Sequence, residues 1–313
     1  MTMVTLGLDT SNYTTSAAAF DGTDGVNAGR LLEVRPGQLG LRQSEALFQH
    51  VKALPDRVEE LAAGGVLRDI TAVGASTRPR AVEGSYMPCF WAGESQGRTL
   101  AAALGVPFFA VSHQQGHLAA AAWSAGRIDL LDSPFLAWHL SGGTTELLYV
   151  QPEEANVKAV CIGGTSDISA GQLIDRTGLL LGLDFPAGRA LDALAAGAAE
   201  GPKRFKVKLD GLEFSLSGME NQVRALADEG TAPAAVARFA LDTVSDVVRR
   251  ATEEARKRYP GLPVLCSGGV ASNSRLRQVL SASCGALFAQ PCYSTDNAMG
   301  VAILAHRLLE RGN

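Results

Sequence analysis

A strand-length apolar run, Val4–Asp9, ends in the polar turn Thr10-Ser11-Asn12-Tyr13 and restarts as a second strand over Thr14–Phe20. The pattern returns in mid-chain, where Phe135–Gly143 and Thr145–Pro152 flank the turn Ser141-Gly142-Gly143-Thr144-Thr145. Elsewhere strand-length apolar runs alternate with helix-length amphipathic stretches, which constrains the chain to an α/β class. Duplication of a hairpin-led unit predicts two similar lobes with a cleft between them; the alternative is two unrelated hairpins. Short turns of small residues expose backbone N–H groups, which suits phosphate binding.

Between the hairpins, Ser44–Ala63 reads as a helix with Ala46, Leu47, Val51, Leu54, Val58 and Leu61 on its apolar side. Thr71–Ser76 reads as a buried strand, Trp91–Leu104 as a helix and Pro107–Val111 as a strand, and a further helix begins near Ser112. The polar stretch Gly126–Pro134 is the expected crossing between lobes. Beyond the second hairpin, two helical stretches lie between Asp167 and Glu200, and Arg204–Lys208 with Leu212–Leu216 reads as a hairpin. Helices are expected over Met219–Ala227, Ala234–Arg258, Ser274–Ser281 and Asn297–Leu309, and strands over Pro263–Ser267 and Ala286–Gln290. This organises the chain as a first lobe over 1–130, a second over 131–296, and a helix over 297–313 that packs back on the first.

With 313 residues, 46% of them apolar, the chain can bury a sizeable core. Its net charge of −4 excludes a surface that is basic all over, but not a local basic stripe. Five cysteines are scattered without a CxxC pair, which suits reduced thiols in a cytosol and offers no thiolate cage. No basic leader precedes the first strand, and no apolar run approaches the ~20 residues that span a bilayer. The expectation is a cytoplasmic protein with no membrane partner.

Three local patterns carry chemistry. In His113-Gln114-Gln115-Gly116-His117 two imidazoles four apart share a helical face and can bind one cation; the alternative is a surface pair. Gln114 stands where a metalloprotease needs its glutamate base, which disfavours proteolysis. In Tyr293-Ser294-Thr295-Asp296-Asn297, Asp296 is either a helix N-cap or the third ligand of a centre that keeps open positions for substrate oxygen. The pair Gly268-Gly269 after a buried strand permits close backbone approach to a ligand.

Taken in order, further motifs align with a known family. These are Gly7-Leu8-Asp9-Thr10-Ser11, His-x-x-x-His at 113–117, Leu140-Ser141-Gly142-Gly143-Thr144-Thr145, and Ala170-Gly171 with Asp175. They continue through Leu181-Gly182-Leu183-Asp184-Phe185-Pro186, Phe214-Ser215-Leu216-Ser217-Gly218, Gly268-Gly269-Val270 with Asn273, and Thr295-Asp296-Asn297. Across nearly its whole length the chain resembles the catalytic subunits of tRNA threonylcarbamoyladenosine synthesis, formerly called glycoproteases, of the actin/hexokinase/heat-shock ATPase superfamily. The resemblance implies an α/β fold of two duplicated actin-like ATPase (ASKHA) lobes with a central cleft. It implies His113, His117 and Asp296 as ligands of one divalent metal, iron or zinc. It also implies that the turn Leu140, Ser141, Gly142, Gly143, Thr144 holds the phosphate-bearing end of an adenylate donor or ATP-like nucleotide. Asp175 would meet ribose hydroxyls, Gly188 and Asn273 would line the nucleoside pocket, and Asp9 and Ser11 would form a turn facing the cleft. The implied reaction moves a threonylcarbamoyl group from its adenylate to the exocyclic amine of a tRNA adenosine beside the anticodon. The implied partners are tRNA, a shorter related subunit packing on Ser44–Ala63 and Trp91–Leu104, and an ATPase.

The chain departs from the family pattern in three places. Tyr13 replaces the acidic residue of the opening turn, Arg78-Pro79-Arg80 replaces a Gly-Pro-Gly loop, and Thr144 stands where bacterial members have histidine. The basic loop either meets an anion or is a solvated surface loop. His139, where archaeal members place a tyrosine able to join the metal, is a fourth ligand or a satisfied core histidine. These departures keep open an alternative function, a diverged nucleotide- and metal-binding paralogue with a regulatory or other carbamoyl-transfer role. Lys203-Arg204-Phe205-Lys206-Val207-Lys208 is either a tRNA-facing strip or a hairpin edge protected by lysines.

Overall fold

The computed structural model describes residues 3–11, 13–34, 41–198 and 202–312; Asn12 of the opening turn and Glu200 lie outside the described residues. The chain forms two compact units, Met1–Ser133 with Gln151–Ala159 and Asp296–Asn313, and Pro134–Val150 with Val160–Thr295.

The first unit opens with the hairpin β1 (Val4–Asp9) and β2 (Thr14–Phe20), followed by β3 (Gly25–Leu31), α1 (Gln43–Ala63), β4 (Ile70–Arg78), α2 (Phe90–Leu104), β5 (Phe108–Ser112) and α3 (His113–Ser124). The sheet order is β3-β2-β1-β4-β5. β1 and β2 are antiparallel, while β4 runs parallel to β1 and β5 parallel to β4. On one face Leu6, Leu8, Val73 and Ala75 bury against Leu54 and Leu61 of α1 and Ala101 of α2. Each fully buried side chain of this kind stabilises the fold by about 1.5–3 kcal/mol. β3 was not expected from the sequence, because it is a largely exposed edge strand whose few apolar residues are interrupted by two glycines, Asn27 and Arg30.

The second unit carries β6 (Phe135–Leu140), β7 (Thr145–Glu153) and β8 (Asn156–Thr165) apart from their Gln151–Ala159 corner, which counts with the first unit, then α4 (Ala170–Leu180), α5 (Gly188–Ala196), β9 (Leu209–Asp210), β10 (Glu213–Phe214), α6 (Ser217–Asp228), α7 (Pro233–Arg258), β11 (Val264–Ser267), α8 (Ser274–Cys284) and β12 (Leu287–Phe288). Its sheet order is β12-β11-β6-β7-β8-β10-β9. β6 and β7 form an antiparallel hairpin, β11 lies parallel to β6, and β12 parallel to β11. The segment β8-β7-β6-β11-β12 therefore repeats the plan of β3-β2-β1-β4-β5, which is the duplication expected from the two hairpins. Around Trp138, whose Nε1 donates to Thr252 Oγ1 at 2.8 Å, the second core gathers Leu136, Leu173, Phe214, Val244 and Val248.

One expected hairpin is corrected. Arg204–Lys208 forms no strand; only Leu209–Asp210 and Glu213–Phe214 pair. The motif Ser215-Leu216-Ser217 serves as a clamp: Asp167 accepts bonds from Leu216 N at 2.8 Å, Ser217 N at 3.2 Å and the Ser215 hydroxyl.

The last helix, α9 (Met299–Gly312), belongs to the first unit and lies on the sheet face opposite α1. Glycines make that approach possible. A Cβ on Gly7 would sit 2.4 Å from Ala302 N, and one on Gly300 only 1.7 Å from Gly116 O. α3 and α9 thus cross with their backbones in contact. Thr5 Oγ1 fastens β1 to the same helix through Ala302 O at 2.9 Å. None of the five cysteines forms a disulfide, and among the described residues no helix is long and apolar enough to cross a membrane.

Candidate metal centre and nucleotide pocket

Ser112 starts α3 with a reciprocal cap, its hydroxyl accepting from Gln115 N at 3.2 Å while Gln115 Oε1 accepts from Ser112 N at 2.9 Å. Gln115 then spends its Nε2 on Val157 O at 2.7 Å. The side chain of Gln115 is thus structural, while the backbone of Gln114 donates its N–H to Pro79 O at 3.0 Å. The helix presents His113 and His117 side by side, with ring centroids 4.2 Å apart.

Asp296, just ahead of α9, brings Oδ1 to 3.5 Å from His113 Nε2 and 3.3 Å from His117 Nε2. One ligand atom from each of the three lies within 4.8 Å of the others, a spacing that fits a single cation. The capping role open to Asp296 falls instead to its neighbour, as Asn297 Oδ1 accepts from Met299 N at 3.1 Å.

A group that sequence reading assigned only to a turn completes this arrangement. Asp9, at the carboxyl end of β1 and 1% exposed, accepts from His113 Nδ1 at 2.8 Å. Its other oxygen is held by Ser11 N at 2.9 Å and Ser11 Oγ at 2.5 Å. Nδ1 is thereby committed as a donor, and Nε2 is the atom left to face a cation. Burial would keep His113 neutral, but the carboxylates of Asp9 and Asp296 outweigh it and push the imidazole up to about 10. Burial also works against charge on Asp296, yet hydrogen bonds from His113 and His117 hold it far below the usual carboxylate range.

Arg78 and Arg80 are exposed, and the loop they flank is fixed to the first turn of α3 by the Pro79–Gln114 bond. Tyr13 is half-buried and holds Leu32 N through its carbonyl at 2.8 Å.

In the second unit a cavity of about 390 Å³ is lined by Gly142, Asp175, Gly188 and Asn273, all expected there, by Pro186 and Val270, which lie in the quoted motifs without an assigned role, and by Ile174, Arg189 and Asp192, which no motif includes. Two of the expected residues have structural duties as well. Asn273 Oδ1 caps α8 through Leu276 N at 3.0 Å, and its Nδ2 donates to Asp192 at 2.9 Å. Asp175 accepts from Ala187 N at 2.8 Å, fixing the entry to α5.

The remaining turn residues, Leu140, Ser141, Gly143 and Thr144, do not line this cavity. Leu140 is fully buried at the end of β6, with Gly268 against its carbonyl, where a Cβ would come within 2.2 Å. Ser141 N donates to Thr144 O at 2.8 Å and Thr144 N to Ser141 Oγ at 3.0 Å, closing the turn that exposes Gly142 and Gly143. The N-cap of α4, Ser169, donates to Gly142 O at 2.6 Å, so the positive end of that helix abuts the turn. His139 stands on β6 in this second unit and is not a member of the His113–His117–Asp296 trio.

Comparison with solved structures defines the class of this fold. Full-length HypF in its phosphate- and nucleotide-bound form matches with a TM-score of 0.61 at 15% identity, over 98% of this chain and 47% of that one. The chain thus has the actin-like ATPase (ASKHA) fold, two units on one topological plan.

Within that class, the chain belongs to the TsaD family, the tRNA N6-adenosine threonylcarbamoyltransferases, whose profile matches residues 37–303. The enzyme of that name from Thermus thermophilus is 33% identical over 322 residues, covering 99% of this chain and 94% of its own. The one from Streptococcus pneumoniae (strain Taiwan19F-14) is 34% identical over 258 residues, covering 78% of this chain and 72% of its own. The protein is a transferase.

Proposed function

We propose that this enzyme transfers a threonylcarbamoyl group from threonylcarbamoyl-adenylate to the exocyclic amine of a tRNA adenosine beside the anticodon. The observation that carries the reading is the approach of His113, His117 and Asp296 to within 4.8 Å of one another in a member of this family. Two imidazoles and a carboxylate fit a divalent cation, iron or zinc, with positions left open for substrate oxygen. A cation held by these three residues supplies Lewis-acid polarisation of carbamoyl or phosphate oxygens.

The chain's own groups do the rest. Asp9 fixes the ring of His113 so that Nε2 stays turned toward Asp296. The Ser141–Thr144 turn, backed by the N-terminus of α4, meets the donor phosphate with backbone N–H groups. Asp175 meets the ribose, while Ile174, Val270, Gly188 and Asn273 line the space for the nucleoside. Holding donor and amine in register lowers the barrier by positioning, with no covalent enzyme intermediate. The enzyme acts together with a shorter related subunit and an ATPase. Phe48 and Val51 on α1 and Trp91 on α2 are exposed apolar residues of the kind such a subunit would cover.

A second reading, a nucleotide- and metal-binding paralogue without acyl transfer, is favoured by Tyr13 and by the basic loop fixed beside His113. One assay separates the two. Purified protein is incubated with threonylcarbamoyl-adenylate, unmodified tRNA and the partner subunits, and adenosine modification is read by mass spectrometry. Product above a no-enzyme control, lost in His113→Ala, supports transfer; nucleotide binding without product refutes it in favour of the paralogue.

A further inference from the structure

Arg204–Lys208 is a strap laid along α7 rather than part of a sheet. Phe205 N donates to Thr243 Oγ1 at 3.1 Å, and Val207 O accepts from the Arg250 guanidinium at 2.6 Å. Val207 is buried and Phe205 packs on the core, so the alternate residues Arg204, Lys206 and Lys208 face outward. Val207 N donates to Phe205 O at 3.1 Å, so the strap turns tightly at Lys206 and gathers the exposed Arg204, Lys206 and Lys208 into a short cationic cluster able to meet neighbouring phosphates. Lys203 is exposed at the head of the cluster.

The charges around the strap are unbalanced. Asp246, 4% exposed, is shared among the guanidiniums of Arg204, Arg249 and Arg250 at 3.5, 2.9 and 2.8 Å. Glu253 is taken by Arg249 at 2.6 Å. Among the described residues no carboxylate comes within ion-pair distance of Lys203, Lys206 or Lys208, whereas Lys257 further along α7 pairs with Glu254 at 2.8 Å. A positive ridge therefore stands on a chain whose net charge is −4. Protection of a sheet edge explains Lys208, which adjoins the edge strand β9. It does not explain Lys203 and Lys206, which precede the paired residues and lie on a segment pinned to a helix.

We propose that this strap is a docking strip for the phosphate backbone of an RNA, an inference that rests on the reading of the enzyme as acting on tRNA. The inward Phe205 and Val207 hold the segment rigid. The outward cations therefore present a fixed cluster, and little ordering entropy is lost when a strand lies against it. Such contacts position the RNA without reading its sequence.

The test measures binding of unmodified tRNA by the full chain across a salt series, for wild type, the triple variant Lys203→Ala/Lys206→Ala/Lys208→Ala, the matching triple Lys→Arg variant, and Lys257→Ala. Each phosphate contact contributes about 0.7–0.9 to the log–log salt slope, so the triple Ala variant should lower the slope by about 2 and weaken binding at moderate salt roughly tenfold or more. Lys→Arg should retain wild-type behaviour, and so should Lys257→Ala. Thermal melting that matches wild type shows that the triple Ala variant is folded. An unchanged slope and affinity in the triple Ala variant overturns the strip while leaving tRNA as substrate. Loss of partner-subunit association with intact tRNA binding likewise overturns it. Absence of any salt-dependent tRNA binding by wild type overturns the substrate reading itself, and the strip with it.

Discussion

His113 donates its Nδ1 proton to Asp9 Oδ2 at 2.8 Å, across 104 residues of sequence. That bond sets which ring nitrogen is available to a cation, and Ser11 holds the carboxylate in place from its other side. Outer partners of this kind govern affinity nearly as strongly as the ligands do. Asp9→Asn should therefore weaken divalent metal binding by about 10–100-fold while leaving the fold intact. Isothermal titration of the metal-free protein with zinc measures this; an unchanged affinity would remove Asp9 from the centre.

The charge state of His113 gives the metal site a pH dependence of fixed sign. With the imidazole pushed up to about 10, the metal-free site is protonated at neutral pH, and a cation must displace that proton. Apparent affinity should rise with pH between 6 and 8, by up to about tenfold per unit, with about one proton released per ion. Titrations in buffers of different ionisation enthalpy report the proton count directly. Affinity that is flat with pH would contradict the geometry.

His50 predicts acid sensitivity of the fold. It is fully buried on α1, with Nδ1 2.8 Å from Thr15 Oγ1, and burial pushes its imidazole down to about 4. Because the folded value lies below the unfolded value near 6.5, the unfolded chain binds the proton first. Stability is then full above pH 6.5 and falls as pH drops toward 4, by on the order of 3 kcal/mol. His50→Asn should flatten this acid limb even where it lowers stability uniformly. Urea melts of both proteins at pH 7, 6 and 5 provide the comparison, and parallel slopes would count against His50 as the source.

Gly171 governs the turn beside the cavity of the second unit. An added Cβ would lie 2.4 Å from Gly142 Cα and from Ser141 O, so Gly171→Ala must push the turn aside at a cost of about 1–3 kcal/mol. The dissociation constant for an ATP analogue should rise about tenfold, with metal affinity unchanged. Gly218→Ala, where a Cβ meets nothing within 4 Å, should leave both constants as they are. Equal behaviour of the two variants would show that the turn does not contact the nucleotide.

Much of this was legible because it is local. β1 and β2 begin and end where the apolar pattern says, and α3 starts at the Ser112–Gln115 cap that the sequence places next to His113. What was hidden depends on partners remote in sequence. The role of Asp9 needs β1 and α3 side by side, and the capping of α9 by Asn297 rather than Asp296 needs the carboxylate drawn to two imidazoles. The alternation of Lys206, Val207 and Lys208 mimics a half-buried strand, but its inward residues bury against a helix, and periodicity alone does not distinguish the two surfaces. β8 was missed because its alternation is interrupted by polar and small residues up to Gly163-Gly164-Thr165.

The crossing of α3 and α9, with Gly300 against Gly116, also bears on how the protein is made. A ribosome delivers Asp9 first, then His113 and His117, and only after the whole β6–β12 segment Asp296 and the helix that seats it. Until then the growing chain carries two imidazoles and a buried-to-be carboxylate without their closing partner. A product terminated between His117 and Asp296 would hold two residues of the trio without the third, so the trio closes only once that later segment has been made.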